Sequence, residues 1–244
     1  MMGKFTRLLA LLLLGLLALQ LYFAARILLM NVLDPQSTSF QRSEIWRLAS
    51  EKGQVLWSQQ WVDEADLSKN LRRAVIASED AGFAEHAGVD WDALEKAWER
   101  NQKAEARVER AEQRGRSAPK PKIVGGSTIT QQLAKNLFLS GERDLLRKGQ
   151  ELVLTLMLEG LLSKQRILTI YLNNVEWGEG VFGAQAAARH YFRVDAARLS
   201  AGQAARLAVM LPAPKRFEKR PASPYVLSRA ATIAARMGAV ELPD

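Results

Sequence analysis

The residues able to do chemistry in this 244-residue chain gather in three short stretches. The first, "SEDAGFAEHAG", carries Glu79, Asp80 and His86, with Glu79 close behind the apolar run "AVIA". On a helix, Glu79, Phe83 and His86 share one face at i, i+4 and i+7, and Asp80 points aside. A carboxylate at the edge of burial is partly desolvated, which raises its pKa toward that of a useful general base. Gly82 inside such a helix costs about 1 kcal/mol relative to alanine, so tight backbone packing or an approaching ligand is expected there. The same spacing also suits two ordinary surface acids.

The second stretch is "GGSTITQQLAKN", Gly125 to Asn136. Gly125 and Gly126 allow a ligand close to the backbone. Ser127 and Thr128 then place hydroxyls and unpaired N–H groups at a helix N-terminus, a natural anion site. Gln131, Gln132 and Lys135 line successive turns, with Lys135 at i+4 and i+3 from the two glutamines. A well-capped structural helix fits this pattern too. A Walker A loop does not, because G-x-x-x-x-G-K-[ST] is absent.

In the third, "GERDLLRKGQELVLTLMLE", Arg143, Arg147 and Lys148 collect at a helix start, where the macrodipole disfavours cations unless an anion is present. Glu151 follows at i+4 from Arg147 and i+3 from Lys148, where a surface salt bridge contributes a few tenths of a kcal/mol. Three cations at that end suggest a phosphate site. With no cysteine and two histidines, thiol catalysis is excluded and a histidine-rich metal site is disfavoured. The S-x-x-K at Ser117 and S-x-N at Ser68 are in the wrong order for serine acyl-transfer machinery and lack a following K-T-G.

The elements that must position these groups are mostly helical. From Leu8 to Ala25 no residue is charged, and as a helix this run rises about 27 Å, close to the hydrocarbon thickness of a bilayer. Lys4 and Arg7 precede it, which places the short N-terminus in the cytoplasm, and Arg26 can snorkel at the far end. The alternative is a cleaved signal peptide, although no A-x-A site ends the run. Residues 34–66 read as a stalk, with a short strand in "QVLWSQQWV". A helix is expected over "LSKNLRRAVIASEDAGFAEH". Further helices are expected over 129–139, 145–163, 165–173, 184–191, 200–211 and 224–237, with capping boxes at Thr128/Gln131 and Ser200/Gln203. From Trp91 to Gln113 an amphipathic start turns into an almost wholly charged run, which suits a solvated helix face or a mobile loop. A net charge of +8 fits a protein meeting anionic headgroups and phosphates at a membrane. The basic residues are not interleaved with stacking aromatics, which argues against nucleic acid.

"EDAGFAEHAG", "GGSTITQQLAKN", "RKGQE", "KQRILTIYLNNVEWGEGVFGAQAAARHYF" and "LSAGQAARLAVMLPAPKRF" resemble, in order, the motifs of the peptidoglycan glycosyltransferases, from about Leu67 to Met237. The resemblance implies a mainly α, lysozyme-like, two-lobed glycosyltransferase domain behind one N-terminal transmembrane helix. It divides the chain into 1–33, cytoplasmic N-terminus and anchor; 34–66, linker; and 67–244, catalytic domain in the periplasm on the inner membrane. It implies lipid II and the growing glycan strand as partners, with inner-membrane lipids and other cell-wall synthesis or division proteins around them. Glu79 matches the family's catalytic base and Glu151 its second cleft glutamate. Lys135, Arg143 and Lys148 match cations that hold a pyrophosphate; Ser127, Thr128, Gln131, Gln132 and Asn136 match the polar wall. A divalent cation such as Mg²⁺ or Mn²⁺, engaged by Asp80 or by the pyrophosphate, is compatible with the family. The charged stretch from Glu95 to Lys122 is longer than the family's first two motifs lead one to expect, and reads as a mobile flap near the membrane. A lysozyme-like hydrolase and a non-catalytic membrane-bound scaffold are the competing readings.

Overall fold

The structure, a computed structural model, describes residues 2–114, 125–139 and 144–243. It is built almost wholly of helices. α1 (Met2–Leu29) is the apolar segment, and the eighteen-residue window that marks it as a candidate span has none of its residues buried. α2 (Ser39–Lys52) follows, then α3 (Lys69–Glu79), α4 (Trp91–Gln113), α5 (Ile129–Phe138), α6 (Leu145–Leu161) and α7 (Lys164–Asn174). A two-stranded antiparallel hairpin, β1 (Glu176–Gly178) and β2 (Val181–Phe182), precedes α8 (Ala184–Phe192), α9 (Ala201–Met210), α10 (Pro214–Phe217) and α11 (Pro224–Arg236).

α7 is the hub. Every residue from Ile167 to Asn174 is buried, the condition of a helix enclosed on all sides by others. Its polar members are satisfied: Asn173 binds the Val62 backbone through both its amide and its carbonyl, and Asn174 donates to the Ile170 carbonyl. α3 packs its apolar stripe, Leu71, Ala74 and Val75, against α9 and α11. Each such fully buried aliphatic side chain contributes about 2 kcal/mol. The capping boxes expected at Thr128/Gln131 and Ser200/Gln203 are both formed.

Three expectations change. The helix through "AVIASEDAGFAEH" stops at Glu79, not at His86. Asp80 leaves helical geometry (φ −163°, ψ 73°) because its carboxylate turns away to cap the start of α5, and residues after it form turns. Glu79 and His86 therefore do not share a helix face. The segment read as a stalk contains α2, which buries Leu48 and packs on α5, while Gln41 donates to the Asn174 carbonyl. The expected strand in residues 54–62 shrinks to a single bridge, Ser58 to Val181.

α1 is joined to the helices behind it. Gln20 and Gln150 of α6 exchange amide hydrogen bonds at 3.0 and 3.1 Å, and Asn31 donates to the Leu161 carbonyl. The second contact lies eleven residues beyond the first in both segments, so α1 and α6 run side by side in the same direction. Arg26 lies over the rings of Tyr22 and Phe138.

Candidate active site

The end of α3 delivers Glu79 to the wall of a cleft of about 330 Å³. Opposite and around it stand Asp90, Lys96 and Arg100, the Gly125–Gly126 backbone, Ser127 and Thr128. Glu79 is half-buried, as the apolar run before it implies. Burial raises its pKa; the hydrogen bond from Gln132 opposes this, and the neighbouring Asp80 charge adds to it. Gln132 Nε2 donates to Glu79 Oε2 at 3.0 Å, and the Tyr171 hydroxyl donates to Gln132 Oε1 at 2.9 Å.

Asp80 has a different task. It is buried, one oxygen sits 2.8 Å from His86 Nε2, and the other accepts the Ile129 N–H at 2.9 Å. It therefore ties the end of α3 to the start of α5, using the N–H groups that a helix terminus leaves unpaired. Both oxygens are committed to the protein, and the described residues hold no group of three or more histidine, aspartate or glutamate side chains suited to a metal ion.

The loop between α3 and α4 is pinned at Gly88 (φ 88°), whose carbonyl accepts from the Thr128 hydroxyl at 2.6 Å. A Cβ there would lie 2.8 Å from side-chain carbons of Thr155 and Glu159, so only glycine allows the loop to lie on α6. Thr128 and Gln131 are buried and spend their side chains on the capping box and on Gly88. Of the polar wall expected here, Ser127 is exposed, and Gln132 and Asn136 are half-buried.

Cations lie on two sides of Glu79. Because Glu79 is bonded to Gln132, Lys135 and Asn136 lie one helical turn farther along α5, about 5 Å along its axis. α5 and α6 run antiparallel, with Thr130 donating to Glu159 near one end and the connection from Leu139 to Asp144 at the other. That places Arg147, Lys148 and Glu151 beside the Lys135 end. Arg143 lies outside the described residues. Glu151 is buried and pairs with Arg147 at 3.0 Å and with Lys148. This is the salt bridge its spacing allows, yet it is held inside the protein rather than on the surface.

Three participants were not singled out from the sequence. Lys96 and Arg100, one turn apart on α4, line the cleft, and neither has an ion-pair partner among the described residues. They belong to the charged run that reads as a solvated face; through Gln113 that run is a regular helix, and residues 115–124 lie outside the described residues. Tyr171, wholly buried in α7, reaches the site only through Gln132. Lys96 and Arg100 were detectable as cations at i and i+4 on the side of α4 bearing Ala97; nothing local marks Tyr171.

The transglycosylase family profile matches residues 49–238. The chain is similar to the biosynthetic peptidoglycan transglycosylases of Burkholderia thailandensis (54% identity over 227 residues, 93% of this chain and 83% of that one) and Burkholderia pseudomallei (53%, with the same coverage). It is also similar to that of Paraburkholderia xenovorans (50% over 228 residues, 93% of this chain and 89% of that one). The chain belongs to the transglycosylase family. It is a glycosyltransferase with the mainly α, lysozyme-like domain of that family, preceded by one apolar helix consistent with a single-pass membrane anchor.

Proposed function

We propose that this enzyme polymerises lipid II into β-1,4-linked glycan, inverting the donor anomeric carbon and releasing undecaprenyl pyrophosphate. The observation that carries the proposal is the position of Glu79: a carboxylate of raised pKa, aimed by Gln132, one helical turn from a cation group. Glu79 takes the proton from the 4-hydroxyl of the acceptor sugar as that oxygen attacks the donor C1. The C1–oxygen bond to the diphosphate breaks on the opposite face, and the leaving group departs with the electron pair. A transition state of oxocarbenium character follows by analogy with glycosidases.

Lys135, Arg143 and Lys148, joined by Arg147, hold the departing diphosphate and stabilise its growing charge. Glu151 orients Arg147 and Lys148. Ser127, Gln132 and Asn136 form the polar wall, with Thr128 and Gln131 holding its helix in place. The reaction brings two lipid-borne diphosphates to one cleft, and Lys96 and Arg100 offer charge for the second. A divalent cation, where one takes part, is held by the diphosphates or by Asp80.

We read the molecule as two lobes with this cleft between them, the catalytic domain on the periplasmic face of the inner membrane and Lys4 and Arg7 on the cytoplasmic side. Inner-membrane lipids surround α1, and other cell-wall synthesis or division proteins are its expected neighbours. The test is the full chain in detergent with lipid II. Wild type yields lengthening glycan and releases nothing from isolated cell wall; Glu79→Gln keeps the fold and yields no polymer. Polymer from Glu79→Gln at the wild-type rate removes Glu79 from its role. Release of fragments from cell wall identifies a hydrolase instead.

A further inference from the structure

We infer that Tyr171 is a positioning residue for the reaction: its buried hydroxyl fixes which end of the Gln132 amide faces Glu79, and so keeps that carboxylate an aimed proton acceptor. The inference rests on Glu79 being the base.

The argument is one of hydrogen-bond polarity. An ionised carboxylate only accepts, so Gln132 must turn its NH₂ toward Glu79 Oε2, 3.0 Å away. Its carbonyl oxygen is then left facing the protein interior, where it needs a donor. Tyr171 supplies that donor at 2.9 Å. The chain Tyr171 to Gln132 to Glu79 therefore has one consistent direction. The terminal torsion of glutamine is broad and roughly two-fold, so nothing in the side chain itself holds the amide one way round. Without the hydroxyl, the flipped amide turns its oxygen at Glu79 and the carboxylate loses its donor.

Tyr171 is 1% exposed and comes from the all-buried α7, so it does not touch substrate. Its burial, with the nearby Glu79 and Asp80 charges, raises its own pKa well above the ordinary phenol value, and it stays a donor throughout the working range. The charged and titratable groups around Glu79 are Asp80 with its partner His86, Asp90, Lys96 and Arg100 of the cleft wall, Tyr171 itself, and on the other side Lys135 of α5 with Arg147, Lys148 and Glu151 of α6. Removing the Tyr171 hydroxyl leaves all the others in place, so a change in the titration of the base is assignable to the Gln132 amide.

The sign follows. A hydrogen bond donated to the charged form lowers a carboxylate's pKa, so its loss lets the burial of Glu79 act unopposed. In the full chain polymerising lipid II, Tyr171→Phe moves the acid limb of the kcat profile up by about one pH unit. On that limb kcat falls about tenfold, KM stays within about twofold, and the variant converges on wild type at the alkaline plateau. Gln132→Met produces a shift at least as large, and adding Tyr171→Phe to it shifts the limb no further, because both act on one hydrogen bond.

The inference is overturned by a Tyr171→Phe profile that superimposes on wild type, or by a loss of rate equal at every pH. A further shift in the Gln132→Met background also overturns it. Should Tyr171→Phe not fold, an unshifted acid limb for Gln132→Met overturns it and a shifted limb supports it. Glu79→Gln separates the two levels: if that variant polymerises normally, the assignment of the base fails, whereas an inactive Glu79→Gln beside an unshifted Tyr171→Phe removes only the role of Tyr171.

Discussion

Glu176 offers a sharp test of how far burial governs this fold. Its side chain is buried in β1, and its nearest cation, Lys215, is 3.5 Å away and shared with Glu44. Burial raises its pKa to about 7, with Glu44 and Glu218 pushing the same way and Lys215 pulling against them. An unfolded glutamate titrates near its ordinary value of 4.5. Between pH 4.5 and 7 the native chain thus holds a proton that the unfolded chain has lost, and stability falls as pH rises. The gap between these two values corresponds to about 3 kcal/mol, fully present below pH 4.5 and gone above pH 7. Glu176→Gln stays neutral and escapes this loss. At about 2–4 °C per kcal/mol for a chain of this size, the variant should melt about 6–12 °C above wild type at pH 8 and level with it at pH 4.5. Thermal melts in detergent at half-unit steps of pH, compared as the difference between the two proteins, isolate this group from all others that titrate. A flat difference, or a wild type that gains on the variant as pH rises, would mean that Lys215 keeps Glu176 ionised and that the burial argument is wrong.

Two further expectations concern the cations. Arg147→Gln leaves Glu151 with only the half-exposed Lys148, and should lower stability by about 1–3 kcal/mol, read by denaturant midpoint, while weakening donor binding; unchanged values in both would make the pair decorative. Lys96→Gln with Arg100→Gln should raise KM for lipid II about tenfold and flatten its dependence on salt, with the melting point unmoved, because neither side chain has an ion-pair partner among the described residues to lose. An unaltered salt profile would take α4 out of substrate binding.

What could be read in advance was whatever the chain decides over a few residues. Thr128 with Gln131 and Ser200 with Gln203 are local hydrogen-bond exchanges, so their spacing suffices to place two helix starts. The burial of Glu79 is likewise announced by the apolar residues just before it. The early stop of α3 was not legible, because it depends on Asp80 reaching forty-nine residues ahead to the Ile129 amide. Tyr171 and Glu176 were hidden for the same reason: their partners, Gln132 and Lys215, are remote in sequence and meet them only through tertiary packing. α2 carries a local signal of its own. Thr38 and Gln41 form a third capping box and Gly53 ends the helix with φ 62°, but the polar composition of the segment masked them.

The amide exchange between Gln20 and Gln150 has a consequence for where catalysis can occur. On the proposed reading of α1 as a membrane anchor, its two contacts with α6, at Gln20 and at Asn31, tie the anchor to the helix that carries Glu151 and hold the cleft at one height above the lipid. On the same reading, glycan emerges close to the bilayer, at the level of the proposed lipid carriers. Swapping the first helix for an unrelated apolar one would leave Gln150 without its mate and set that height adrift.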